Sequence, residues 1–535
     1  MPLRNRKVGA DSAGRIFAGR SSMAGLRAWV SAGCVATLIG FGIGQAAAQQ
    51  AGAMQDRIDE LAPAFETYLQ AGMKAANVPG VAVGIVHGDK LVYTKAFGVK
   101  ERTKPDPVTP DTIFQIGSTT KAFLSATLAQ AVDAGKLKWD DRVVDRMPEF
   151  QLGDPWVGRD FRMLDLPAQR SGLGPYVYDG LGLLGFDQQT MIRALEDAPA
   201  VGIFRSDFAY LNIPHMIAGR ILAETYGVAA WSDVVKKGIL DPLGMAATSW
   251  TPEVIETAPD HAVGHRATDT DPVAIPFHAS FPYGFGPAGN LNSNVPDVSR
   301  WLRMQLARGI FGENVIVSEA NLDVTWTPRV AMTERVSYAV GWVVTATPNG
   351  RIIWHNGGTT GFGAHVGFVP DRDIGLIVLS NLENNGFPDA VAQWFYDRLM
   401  GNPQVDNVAL MLTALHAKQD QAKRVANQKP LGTIPPFGPY AGTYASRVLG
   451  DATVREVDGK LQMVLETSEA VLDLKPIALD TFEARLQPSG AFAVVAAMTG
   501  DDVLTPVRFE RDGNGVITGL RWTAPAMPQL FERQR

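Results

Sequence analysis

A chain of 535 residues is longer than one ordinary hydrophobic core supports, so two or more folded units are expected, and 46% hydrophobic with 19% charged residues is the composition of a soluble globular protein. The net charge of -6 is modest, and no basic run with interleaved aromatics occurs, which argues against a nucleic-acid partner.

Residues 1–48 read as an export signal. Arg4, Arg6, Lys7, Arg15, Arg20 and Arg27 make a long basic n-region in which Asp11 is the lone acid, and Ala28 to Gly44 is apolar but short and Gly-rich for a membrane span. Ala46-Ala47-Ala48 before Gln49 places small residues at the expected cleavage positions. Cys34, the single cysteine, lies inside the apolar stretch, so the mature chain would carry neither a disulfide nor a thiol nucleophile. A lipoprotein cleavage at Cys34 is disfavoured, because the apolar region continues past it and Ser31 stands where a bulky residue is usual. No stable membrane anchor would remain after cleavage, and a cysteine-free exported protein suits a bacterial periplasm.

Ile58, Leu61, Phe65, Leu69 and Met73 then recur at three- and four-residue steps, one face of an amphipathic helix. Val81 to Val86 and Leu91 to Val99 read as two strands joined by the turn His87-Gly88-Asp89-Lys90. Ser118-Thr119-Thr120-Lys121 follows an apolar, strand-like run and opens a helix that is apolar around its whole circumference and should therefore be buried. Ser118 and Lys121, three apart, share a helix face. A hydroxyl beside an ammonium at a helix N-terminus can make a serine nucleophile without histidine, although the same four residues also suit an N-cap followed by a surface lysine.

Further on, Tyr210-Leu211-Asn212 sits where an extended segment gives way to an apolar helix, so phenol and carboxamide can both face a cleft. His261 and His265 have H-x-x-x-H spacing, but no Glu lies between them and the surroundings read as loop, so no metal site is expected. His87 and His215 read as surface or satisfied core residues, His365 as strand packing, and Trp139, Trp342 and Trp354 as core or cleft wall. His355-Asn356-Gly357-Gly358 closes the strand-like Arg351 to Trp354, with glycines that would let a substrate backbone approach the strand edge. A further strand region runs from Ala364 to Asn381. Pro430, Pro435, Pro436 and Pro439 break regular structure after a helical pattern at Val408, Met411, Leu412 and Leu415. Beyond them come short strands, with hairpin turns at Asp458-Gly459 and Asp512-Gly513-Asn514-Gly515.

Ser118-Thr119-Thr120-Lys121, Tyr210-Leu211-Asn212 and His355-Asn356-Gly357 in this order resemble the signature of the serine β-lactamase-like hydrolases, which include class C β-lactamases, D-alanyl-D-alanine carboxypeptidases, D-aminopeptidases and related esterases. Gly135 to Val143, Leu164 to Leu173, Gly286 to Ser293 and Val340-Gly341-Trp342 look like the family's other landmarks, so the resemblance runs from about Gln55 to about Met400. It implies an α/β (α+β) fold, an antiparallel sheet flanked by helices plus an all-helical region, over residues 49–402. A helix and Pro-rich linker would occupy 403–439, and 440–535 resembles the small lipocalin-like, barrel-like all-β domain often appended to this family.

The resemblance also implies roles. Ser118 would form an acyl-enzyme with its proton taken by Lys121 and Tyr210 acting together, and which of the two holds that proton is open. Backbone N–H groups of Ser118 and Gly358 would form the oxyanion hole, while Asn212, His355 and Gly357 would meet the substrate. His355 stands where the family's β-lactamases and carboxypeptidases usually carry the lysine that recognises a carboxylate, and the His-x-Gly form is associated with D-aminopeptidases and related peptidases. The expected activity is amide hydrolysis of short linear peptides, including ones with D- or unusual residues, without cofactor or metal. A carboxylesterase using the same residues is the first alternative, and a β-lactamase or non-turnover cell-wall binding protein the second.

Overall fold

The computed structural model describes residues 30–278, 281–426, 436–500 and 503–535. The basic segment read as a leader, and Pro430 and Pro435 of the linker, lie outside the described residues. Contacts divide the chain into a unit ending at Glu60 and a second unit, Leu61–Arg535, to which all that follows refers. No described helix is long and apolar enough to cross a membrane.

Helix α1 (Val30–Ala75) brings Phe65, Leu69 and Met73 into the second unit as one buried face. Strands β1 (Gly80–His87) and β2 (Lys90–Gly98) form the expected hairpin, with Gly88 left-handed at φ 58° in its turn. The main helices that follow are α2 (Thr120–Asp133), α3 (Ile213–Tyr226) and α4 (Val295–Leu306). The chain then returns to the sheet through β3 (Val330–Ala331), β4 (Val336–Tyr338), β5 (Val343–Thr347), β6 (Gly350–Gly358), β7 (Gly363–Val369) and β8 (Ile374–Ser380). These eight strands make one antiparallel sheet in the order β2-β1-β8-β7-β6-β5-β4-β3, so both ends of the domain meet at the β1–β8 pair.

The middle of the sheet is buried on both faces, which is why β8 reads as an unbroken apolar run and β7 as one interrupted only by His365. Ala364, Val366 and Phe368 belong to the core under α4 with Phe123, Trp301 and Leu302. His365, on the opposite face, meets α5 (Phe387–Met400) through Asp389 and Tyr396. Helix α2, buried along nearly its whole length as its sequence predicts, runs through the middle of the domain. After α6 (Asn407–Ala426) the chain enters a closed antiparallel barrel of eight strands.

The barrel strands are β9 (Gly442–Ser446), β10 (Gly450–Val457), β11 (Lys460–Leu465), β12 (Ala470–Ala478), β13 (Thr481–Leu486), β14 (Thr505–Arg511), β15 (Ile517–Trp522) and β16 (Gln529–Arg533). Closure leaves no free sheet edge. Tyr440, Tyr444, Phe482 and Phe509 pack ring to ring within it. Its buried residues are continuous with those of the helical region, including Leu181, Met216 and Ile217, so one apolar core spans the two.

Candidate active site

Ser118 lies in the tight turn Gly117–Thr119 that feeds α2, and Lys121 follows one turn later. The turn is pinned by its own hydroxyls: Thr119 donates to the Ile116 carbonyl and Thr120 to that of Gly117. Lys121 is wholly buried, and its Nζ lies 3.0 Å from Ser118 Oγ, 2.6 Å from Asn212 Oδ1 and 2.6 Å from the Ala288 carbonyl oxygen. Two of those partners can only accept. A neutral amine would donate both its hydrogens to them and turn its lone pair to the Ser118 hydroxyl, the geometry of a base poised to take the serine proton. Burial pushes the amine down from 10.5 to about 7, partly opposed by the Asp179 carboxylate.

Tyr210 stands over the same amine, its ring centroid 4.8 Å from Nζ. An ammonium beside a phenol ordinarily favours tyrosinate, but burial raises this phenol well above 10, with Tyr338 adding to the rise. Ser118 pulls the phenol the other way, but less strongly than burial raises it. Of the two, Lys121 is therefore the group whose deprotonation is accessible near neutral pH.

Asn212 sits immediately before α3, where an asparagine ordinarily caps the helix, yet its side chain caps nothing. Its carbonyl accepts from Lys121 while its amide donates to Asp179 Oδ2 at 2.6 Å, leaving the second amide hydrogen for a substrate. Asp179 is half-buried on the cleft wall, and burial raises it from 3.8 to about 7 against the pull of Asn212 and Lys121.

The β6 motif joins this group from the sheet. Gly117, left-handed at φ 50°, lies so close to β6 that a Cβ there would fall 2.7 Å from the Gly358 nitrogen, so the backbones expected to supply the oxyanion donors are adjacent. Two substrate-binding expectations need correction. Gly357 does not line the cleft: its Cα faces the Ile116 backbone, and its missing side chain admits the serine loop rather than a substrate. His355 borders the cleft but is 1% exposed, with both nitrogens engaged. Nδ1 donates to the Asn356 carbonyl at 2.5 Å, and Nε2 accepts from Tyr338 Oη at 2.9 Å. Burial and then the Lys121 charge push the imidazole down to about 3, so it is no substitute for a lysine cation.

The remaining histidines lie elsewhere. His365 is buried against Asp389 at 2.8 Å and stacked on Trp354. His265 is spent on backbone, donating to the Asn381 carbonyl and accepting from the Arg102 N–H. His215, expected to be a surface or satisfied residue, is buried with neither ring nitrogen bonded among the described residues, and burial holds it well below 6.5.

Ser118, Asp179, Tyr210, Asn212, His355 and Gly358 border a cleft of about 460 Å³. Tyr176, Phe208, Phe281, Phe285, Tyr338 and Trp354 supply aromatic wall. Among the described lining residues Asp179 is the one acid, and neither Arg nor Lys is present. Asp179, Tyr338 and the Ala288 carbonyl were not identified from sequence. Of these, Ala288 alone carried a signal, since Gly286 to Ser293 reads as a landmark without an assigned role.

Residues 65–399 match the Beta-lactamase family model, and 429–534 match a domain of unknown function, DUF3471. A protein named unguisins hydrolase from Aspergillus campestris is 24% identical, with 88% of this chain and 91% of its own length aligned. Penicillin-binding protein 4 of Amycolatopsis lactamdurans is 27% identical over 57% of this chain and 81% of its own. Among solved structures, the octameric penicillin-binding protein homologue from Pyrococcus abyssi superposes with TM-score 0.58 at 20% identity, covering 88% of this chain and all of that one. A class C β-lactamase from Rhodobacter sphaeroides gives 0.53 at 22% identity, over 63% and 99% of the two chains. With more than half of its length matched by the family model, the chain belongs to the beta-lactamase family of serine hydrolases.

Proposed function

We propose that the protein hydrolyses amide bonds of short linear peptides through an acyl-enzyme on Ser118, with Lys121 as the base and the Ser118 and Gly358 N–H groups stabilising the oxyanion. The observation that carries this reading is the amine of Lys121, held between two carbonyl acceptors and directed at the Ser118 hydroxyl. Attack joins Ser118 Oγ to the carbonyl carbon as its proton passes to Lys121. Collapse expels the amine with that proton, and water then releases the acid by the reverse sequence. An aromatic cleft with neither Arg nor Lys among its described lining residues favours apolar acyl groups over substrates bound by a carboxylate, such as penicillins. Export to a bacterial periplasm belongs to the same proposal and rests on the basic and apolar pattern of residues 1–48; fractionation of cells and the mass of the mature N-terminus test it.

The esterase alternative uses the same groups, an ester being the easier acyl donor. Asn212→Ala alone does not separate the two, because Asn212 also holds Lys121 and its loss would slow both reactions. The mature protein and Ser118→Ala should be incubated with a pool of short L- and D-containing peptides, an acyl ester and a cephalosporin, with every species followed by mass spectrometry. Ser118-dependent loss of peptides is the expected result. Turnover of the ester or cephalosporin alone would replace the peptide assignment, and a permanent adduct on Ser118 would make this a binding protein.

A further inference from the structure

The segment carrying Asp179 is held in an unusual way. Tyr176 and Tyr178 are left-handed, at φ 56° and 62°, a strained backbone region that bulky residues hold only where their surroundings impose it. Tyr176 N–H donates to the Tyr210 carbonyl at 2.8 Å. Tyr178 is gripped from the barrel: its N–H donates to the Ala526 carbonyl at 2.7 Å and its hydroxyl to the Pro528 carbonyl at 2.7 Å. Ala526, Met527 and Pro528 belong to the turn between β15 and β16. Met527 is buried there, its sulfur filling the space beside Gly180, where a Cβ would lie 2.5 Å from it. Between these two grips lies Asp179, whose carboxylate takes the Asn212 amide and leaves Oδ1 buried without a partner among the described residues.

We propose that the β15–β16 turn is a built part of the active site: by holding Tyr178 and Gly180 it fixes Asp179, a positioning residue that orients Asn212 toward Lys121. The inference rests on the reading of Ser118 and Lys121 as the acylating pair. With Asp179 as acceptor, the Asn212 amide group points to Asp179 and its oxygen to Lys121; the flipped amide would set two donors against each other. The barrel then acts on the chemistry through four consecutive contacts without touching substrate. The ionisable groups around Asp179 are Lys121 from α2, Tyr210 before α3 and Tyr176 on its own segment, while the turn presents Met527. The two phenols are raised by burial, so the Asp179–Lys121 pair titrates in the neutral range.

The test uses the full chain with Asp179→Asn, Asp179→Ala, Tyr178→Phe and the double variant Tyr178→Phe/Asp179→Ala. One readout is the rate of Ser118 acylation by p-nitrophenyl acetate from about pH 5 to about pH 9. The other is the titration of Lys121 by NMR of 13Cε-labelled lysine, assigned with Lys121→Arg. Asp179→Ala should slow acylation about tenfold or more. Tyr178→Phe, which removes one hydrogen bond, should slow it about threefold in the wild-type background and not at all in Asp179→Ala. Asp179→Asn can still accept from Asn212, so it should keep most of the rate while the acid limb and the Lys121 titration move to lower pH. Multiplicative effects in the double variant, or a Lys121 titration unchanged by Asp179→Asn, would overturn the inference. Absence of acylation in the wild type would remove the proposed function instead. The Lys121 titration would then decide alone, moving down in Asp179→Asn and Tyr178→Phe if the linkage exists and staying in place if it does not.

Discussion

Lys121→Met is expected to give a folded protein whose Ser118 acylates about 10³-fold more slowly, since a positioned general base contributes roughly 10² to 10⁴ in rate and no second group here can take the proton. Tyr210, the alternative, is held well above 10 by burial, which outweighs the opposing pull of Ser118. In the wild type the rate should rise with pH through about 7 as Lys121 loses its proton. The same substitution has a signature in stability that does not depend on any substrate. In the unfolded chain the lysine keeps its proton up to about 10.5, whereas in the fold it gives it up near 7. Between those values the unfolded state binds more protons, so the contribution of Lys121 to stability rises with pH, by at most about 1.4 kcal/mol per unit. Urea denaturation at a series of pH values should show the wild type gaining on Lys121→Met across that window. A constant difference would mean that the lysine is not depressed, and its role as base would fall with it.

Ser118, Lys121, Tyr210 and Asn212 are legible in the sequence because each belongs to a short motif whose spacing survives in the fold. A hydroxyl and an amine one helical turn apart need α2 alone to bring them together. The first hairpin of the sheet and the barrel hairpin after Val457 are legible for the same local reason: Gly88, Asp458 and Gly459 carry the left-handed turns that their strands require. Asp179 is illegible because nothing near it in sequence marks it. Its significance comes from Asn212, 33 residues away, and from a barrel turn almost 350 residues on that holds its neighbour. His355 is found by its motif, but its protonation is not legible there, being set by burial and by Lys121 rather than by residue type. Gly357 is likewise found for a reason that turns out to be different: the approach it permits is that of the chain to itself.

That approach makes Gly357→Ala a severely damaging single methyl group, and Gly358→Ala its control. At Gly357 a Cβ would overlap the Ile116 carbonyl oxygen, lie 2.8 Å from the carbonyl carbon and press on Ala364 Cβ at 3.1 Å. Two of these obstacles are backbone, and the third is a buried residue on the neighbouring strand β7, paired with Gly357 across the sheet. Relief therefore requires β6 and the turn carrying Ser118 to move apart. Overpacking of this kind costs typically about 1–3 kcal/mol where side chains can yield, and more where they cannot. The same movement separates the Ser118 and Gly358 nitrogens, and loss of one oxyanion donor alone is worth about 10² to 10³ in rate. Gly358→Ala places its methyl group 3.0 Å from Cβ and 3.1 Å from the amide nitrogen of the exposed Asn384, a loop residue held by one hydrogen bond from the Gly386 N–H, so a shift of a few tenths of an ångström in that loop relieves it and the backbone N–H stays in place. Gly357→Ala should thus lose several degrees in melting temperature together with at least about 10²-fold in acylation rate, while Gly358→Ala keeps the stability of the wild type. Equal behaviour of the two variants would show that the strand and the serine turn are not locked by this contact, and with it would go the structural reason for adjacent donors at Ser118 and Gly358.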